Sequence, residues 1–269
     1  AQIRLGPETM REDQRQPLPL GRSDFAALRQ SEALYIDKTE LIFDLCREPR
    51  KIFMSRPRRF GKSLLVSTFK SLFEDGVRDF PGLAIEGLWN DRIYPVVRLD
   101  FSGLKSQLTI NEFREALNSL ILSAFSPLGF HYDANNPSIF FIDQFKAWLN
   151  TQKTNSFVLL IDEYDAPLTN HLDDPEFFDR VRNVMGEFYA AIKQYEGVLR
   201  FFFMTGITRF SNTSIFSAFN NLDDISFDPD YGTLLGITEE ELESYFDDYL
   251  KDAEAALSLS RVELLKELR

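Results

Sequence analysis

Two hydrophobic periods alternate along this chain, and the places where one gives way to the other mark its elements. Runs of strand type occur at 51–55 (KIFMS), 94–101 (YPVVRLDF), 157–161 (FVLLI) and 200–204 (RFFFM). The third is the continuous apolar kind that suits a buried parallel strand. Between the runs, apolar residues fall at helical spacing: Leu41, Ile42, Leu45 and Cys46; Leu64, Leu65, Phe69, Leu72 and Phe73; Phe113, Leu117, Leu120, Ile121 and Phe125; Phe178, Val181, Met185, Phe188, Tyr189 and Ile192. Each group makes one face of a helix. Further helices are expected over 136–152, from Thr238 to about Leu250, and over 252–268.

Start signals agree with these periods. Asp37 with Glu40 and Thr109 with Glu112 read as capping boxes, and Thr238 with Glu241 caps a third helix. Asp174 before Pro175 opens the long helix that Gly197 stops. Residues 1–16 read as a loose polar arm, 17–29 as a lead-in, and 220–231 as an acidic, turn-rich loop of solvated carboxylates. Strands alternating with helices predict an α/β chain: three layers around a mainly parallel central sheet, followed by the start of a small helical lid. The expected units are an arm at 1–16, a core at 17–233 and a truncated lid segment at 234–269.

The candidate chemistry sits at the ends of two of these strands. After 51–55 the chain passes through a basic loop, Arg56, Pro57, Arg58, Arg59 and Phe60, into Gly61-Lys62-Ser63 and a helix. That is the strand, loop and helix order of a Walker A phosphate loop, with Arg56 where the general pattern has its first glycine. Gly61 lets backbone N–H groups turn onto phosphate oxygens, and Lys62 carries a cation to the β- and γ-phosphates. Ser63 offers a hydroxyl to Mg²⁺ at a helix N-terminus that itself favours anions. The run 157–161 leads into Asp162-Glu163, a Walker B arrangement in which Asp162 holds the metal and Glu163 polarises the attacking water.

Bulk composition narrows the partners. With 42 acidic against 30 basic residues the formal charge is −12, so direct nucleic-acid binding by this chain is not expected. One cysteine, Cys46, excludes an internal disulfide, and His131 with His171 and that thiol are too few for a zinc cluster. No apolar run reaches membrane-spanning length and the first residues lack the apolar centre of a signal peptide, which makes the cytoplasm the default location. The 26 phenylalanines predict a bulky aromatic core.

The run SRPRRFGKS, the earlier YIDKT, DEYDAP after the third strand, TGITRFS after the fourth, and NNLDDIS together resemble the AAA-ATPase-like proteins. That P-loop family often carries a C-terminal nuclease domain of the PD-(D/E)xK type. The resemblance spans about 17–245 and implies a P-loop fold with ATP and Mg²⁺ chemistry; Arg56 in place of glycine is usual in the family. It further implies that the segment of Tyr35 flanks the nucleotide base, with Tyr35 stacking on it. Thr205, at the end of the fourth strand, stands where P-loop ATPases of this broad class sense the γ-phosphate, and Arg209 is a candidate cation for the charge that develops on the transferred phosphoryl group. The resulting expectation is an ATPase that binds and slowly hydrolyses ATP as a switch for a protein partner, an appended domain or a second copy of itself. A nucleotide-gated binding module without turnover and the regulatory part of a nuclease system are the alternatives. The tail, with Glu263-Leu264-Leu265-Lys266 in a helical pattern, lacks the hairpin setting of such a nuclease site.

Overall fold

The computed structural model describes residues 16–18, 23–57, 61–104, 109–136, 139–210 and 222–268. Within them one five-stranded, all-parallel sheet is formed by β1 (Arg50–Ser55), β2 (Val96–Asp100), β3 (Phe157–Asp162), β4 (Leu199–Gly206) and β5 (Asp223–Asp224), in the order β2-β3-β4-β1-β5.

Both faces of this sheet are covered, which is why β3 and β4 carry no polar alternation. Phe157, Leu159 and Ile161 with Phe202 and Met204 point into one core; Val158 and Leu160 with Phe201 and Phe203 point into the other. The second core is closed by α1 (Phe25–Gln30), α2 (Thr39–Cys46) and α3 (Lys62–Asp75). The first is closed by α4 (Ile110–Phe125), α5 (Phe141–Asn150), the single turn α6 (Ala166–Thr169) and α7 (Pro175–Gln194). At the C-terminal end of the chain follow α8 (Glu239–Tyr245), α9 (Asp247–Leu257) and α10 (Arg261–Glu267). The three-layer α/β architecture read from the hydrophobic pattern is therefore the observed one, and the phenylalanines supply much of its core. Phe69 of α3 lies 5.0 Å from Phe201 and 4.9 Å from Phe203, ring centre to ring centre, which seats the helix that follows the phosphate loop firmly on β4.

Several local expectations are corrected. The cap of α2 is Lys38, and Asp37 stands one residue outside it, accepting from the Thr39 N–H at 2.9 Å and from the Ala84 N–H at 2.8 Å. Tertiary anchoring thus displaces the expected capping box. Helix α5 begins at Phe141, later than the expected 136, and α1 forms within what reads as a lead-in. The stretch after Thr238 breaks at Phe246, and Ser258, in the left-handed region at φ 54°, separates α9 from α10. Most consequentially, Asp223 and Asp224 form an edge strand paired with Ile52 and Phe53 of β1. Their carboxylates are held by Arg50 and Arg209, so this part of the acidic stretch is not a solvated loop. Among the described residues no helix is long and apolar enough to cross a membrane.

Candidate functional site

Every strand of a parallel sheet delivers its C-terminal end to the same edge, and the expected chemistry gathers there. Because β4 is inserted between β1 and β3, the two motif strands are separated by one strand, a span of about 10 Å. The first turn of α3 bridges that span. Ser63, its second residue, places its hydroxyl 3.4 Å from Oδ2 of Asp162, which ends β3 and is 4 % exposed. Residues 99 positions apart in the chain thus face each other. The contact is at the long end for an O–H···O bond and brings two hard oxygen donors together, a set suited to Mg²⁺.

Gly61 caps α3 with φ 77°, a backbone state that an L side chain adopts only with strain, so glycine is required here for conformation. Lys62 is buried and folds back onto its own loop, donating to the carbonyls of Arg56 at 2.6 Å and Pro57 at 2.7 Å. Phosphate is a stronger, charge-assisted partner for such a cation than a neutral carbonyl. Arg58, Arg59 and Phe60 lie outside the described residues. Arg56 directs its guanidinium to the carbonyl of Ser226 beyond β5, while its N–H donates to the Gly206 carbonyl at 3.1 Å.

Glu163 is half-buried and adopts φ 50°, again in the left-handed region, immediately after the β3 carboxylate. The next two residues are anchored to the loop that follows β4. The Tyr164 N–H donates to the Thr205 carbonyl at 3.1 Å, and its hydroxyl donates to the Thr208 carbonyl and accepts from the Phe210 N–H at 3.2 Å. Burial pushes the Tyr164 hydroxyl well above the ordinary phenol range, which keeps it a donor. Asp165, 2 % exposed, accepts from the N–H groups of Ile207 at 3.0 Å and Thr208 at 2.7 Å. The two strand-end loops are thereby clamped together.

The other two expected catalytic residues, Thr205 and Arg209, both have partners within the fold. Thr205 is fully buried, and its hydroxyl donates to the Met54 carbonyl of β1 at 2.7 Å, tying β4 to β1. Arg209 lies beside the sheet edge with Nε 2.7 Å from Asp224. Tyr35 does line a pocket next to Gly61. This cavity of about 200 Å³ is walled mainly by apolar side chains, including Leu64, Leu234, Ile237 and Phe246, and by Lys38. Burial also raises the Tyr35 hydroxyl above its ordinary range, so the ring enters that wall uncharged. Lys38 is joined to both carboxylate oxygens of Glu241, an ion pair that ties the approach to α2 to helix α8 across the pocket.

Arg98 is the site residue that periodicity misses. It projects from β2 with Nη2 3.2 Å from the same Asp162 Oδ2. A cation in the middle of the run YPVVRLDF is the one signal that could have flagged it, since a core strand admits a charge only beside a partner.

Comparison with known proteins gives the family of the chain. A family model described as "AAA-ATPase_like: Predicted AAA-ATPase" matches residues 19–216. A protein of Azotobacter chroococcum mcd 1, called "Uncharacterized protein in vnfD 5'region", is 32% identical over 246 residues. That match covers 86% of this chain and 45% of the relative, so the chain spans less than half of the relative's length.

Proposed function

We propose that this chain, which belongs to the predicted AAA-ATPase family, binds ATP with Mg²⁺ and hydrolyses it slowly, using the cycle as a switch for a protein partner, an appended domain or a second copy. The observation that carries this reading is the approach of Ser63 to Asp162 at the mouth of a glycine-capped helix whose lysine is held by loop carbonyls.

In this reading the N-terminus of α3 and the N–H groups around Gly61 bind phosphate oxygens, and Lys62 exchanges its two carbonyls for them. Ser63 and Asp162 would hold Mg²⁺, which would supply charge neutralisation to the phosphates. Glu163, fixed by the strained turn after β3, aligns a water molecule and takes its proton. Arg209 stands as the candidate cation for the developing charge, and Thr205 serves the sheet.

The base enters the apolar pocket and lies against Tyr35. Guanine is recognised best by a carboxylate that accepts from its N1 and N2 donors, and among the described residues the pocket lining contains no carboxylate or carboxamide side chain. An apolar slot that leaves base-edge recognition to the backbone favours adenine. Residues 17–233 then act as the nucleotide-binding core, and 234–269 contribute a lid segment whose Leu234, Ile237 and Phe246 form the far wall of the pocket.

Dissociation constants with and without Mg²⁺, together with phosphate release, test the reading on the parent, Lys62→Ala and Asp162→Asn. Lys62→Ala is expected to lose about 1.5–3 kcal/mol of affinity under both conditions. Asp162→Asn should lose the Mg²⁺-dependent part and the rate. Unchanged affinity in Lys62→Ala overturns the phosphate-loop assignment; a parent that binds ATP and releases no phosphate, with its partner present, makes the nucleotide a ligand only.

A further inference from the structure

The entry to the phosphate loop is held from the edge of the sheet. Ser55, the last residue of β1, donates its N–H to Ser226 Oγ at 2.8 Å, and the next residue, Arg56, donates its guanidinium to the Ser226 carbonyl. Ser226 is fully buried, and its own N–H donates to Asp224 Oδ1 at 2.9 Å. The second oxygen of Asp224 receives Nε of Arg209 at 2.7 Å. Asp224 of the edge strand thus contacts the arginine that follows β4 and, through Ser226, is linked to the start of the phosphate loop.

The backbone N–H groups of such a loop grip phosphate well only if their directions are set before the ligand arrives; otherwise binding must bear the loop's ordering entropy. A glycine at position 56 would leave that ordering to the ligand. Here the residue at 56 carries a long side chain anchored outside the loop on the carbonyl of one enclosed serine, whose hydroxyl holds the N–H of the residue before it. We propose that Ser226 and Asp224 are positioning residues for the phosphate loop, with Arg56 as the strut between them and the loop, so that they set nucleotide affinity without touching the nucleotide. This rests on the nucleotide-binding reading above. It also gives Arg56 a role in place of direct phosphate contact.

Calorimetric binding of Mg²⁺-ATP to the full chain tests it, with the thermal midpoint recorded for each variant. Ser226→Ala removes the acceptor for the Ser55 N–H, and Asp224→Ala removes the acceptor that orients Ser226; each is expected to weaken binding about tenfold, the scale of one or two lost hydrogen bonds. Asp224→Asn keeps an oxygen for the Ser226 N–H while losing the charge that faces Arg209, and should bind within about twofold of the parent. Ser71→Ala is the control: it deletes a buried hydroxyl bonded to Asp79 at 2.7 Å, four residues before the end of α3, and should lower the midpoint with affinity unchanged. Should Ser226→Ala fail to fold, the partly exposed Asp224 still decides through its Ala and Asn pair. Variants that lose midpoint and keep the parent's affinity overturn the positioning role, as does an Asp224→Asn variant as weak as Asp224→Ala. A parent that binds no nucleotide overturns the underlying reading and this inference with it; a parent that binds as tightly as both alanine variants overturns this inference alone.

Discussion

The guanidinium of Arg98 and the carboxylate of Asp162 stand 3.2 Å apart, and the oxygen they share also faces the Ser63 hydroxyl. The carboxylate is nearly enclosed, whereas Arg98 is partly exposed, so the pair is neither a surface bridge of negligible worth nor a fully buried one. Arg98→Ala should lower unfolding free energy by about 1–3 kcal/mol without nucleotide, because an enclosed charge loses its partner. Mg²⁺ added at fixed ATP should then restore more stability to the variant than to the parent, since the metal supplies the missing counter-charge. Denaturant unfolding with and without Mg²⁺ measures both increments; equal increments count against Asp162 as the metal residue.

Glu163 combines a strained backbone with the proposed water-aligning carboxylate. Glu163→Gln keeps shape and one acceptor, so ATP affinity should be held or slightly raised while phosphate release falls roughly 100-fold. Glu163→Gly relieves the positive φ and should leave stability equal or raise it by up to about 1 kcal/mol, again with turnover lost. A glycine variant that is clearly less stable would mean that the side chain holds the turn in place.

At Gly206, packing and not conformation demands glycine. A Cβ there would lie 2.5 Å from Asp165 Oδ1 and 2.7 Å from Tyr164 Cδ1. Asp165 is fastened by two backbone N–H groups and cannot retreat cheaply. Gly206→Ala is therefore expected to cost about 1–3 kcal/mol in urea unfolding and to lower turnover by disturbing the clamp on Glu163. A cost under about 0.5 kcal/mol would show the clamp to be loose.

The pocket beside Gly61 predicts which nucleotide is preferred. Tyr35→Ala should weaken ATP by roughly 1–2 kcal/mol, the range of a base stacked on an aromatic ring, whereas Tyr35→Phe should bind like the parent. Competition between ATP and GTP should favour ATP in the parent. Equal affinity for both, or an unaffected Tyr35→Ala, moves the base elsewhere.

Acid stability has a named contributor at the opposite end of the sheet. Burial alone would raise the Asp91 carboxyl, but the Tyr94 hydroxyl, the Arg92 N–H and the Arg200 guanidinium outweigh it and hold the group below its ordinary value of 3.8. A depressed carboxylate contributes stability above the ordinary range and loses it as pH falls through the lowered folded value. Asp91→Asn leaves the 4 % exposed Arg200 with a neutral neighbour and should cost about 1–3 kcal/mol at neutral pH. The deficit should shrink below pH of about 4, which a stability profile against pH would record.

What the chain states locally and what only folding supplies separate cleanly along these residues. The apolar run of β3, the spacing along α7 after Asp174 and Pro175, and the glycine, lysine and serine at the start of α3 are legible in the sequence because each is a short-range pattern: a strand buried on both faces must be apolar throughout, and a helix start must satisfy its own N–H groups. The family resemblance added the place of Tyr35 by the pocket. The strand β5 has no such pattern, since two aspartates are poor strand formers, and it exists because β1 offers them an edge and Arg50 and Arg209 neutralise them. In the same way, the Thr205 hydroxyl is claimed by a strand 151 residues away, Ser226 meets Ser55 across 171, and Arg98 meets Asp162 across 64. Those pairings depend on strand order, and strand order follows from how the crossover helices pack on the two faces, a property of the assembled sheet that no window of residues contains.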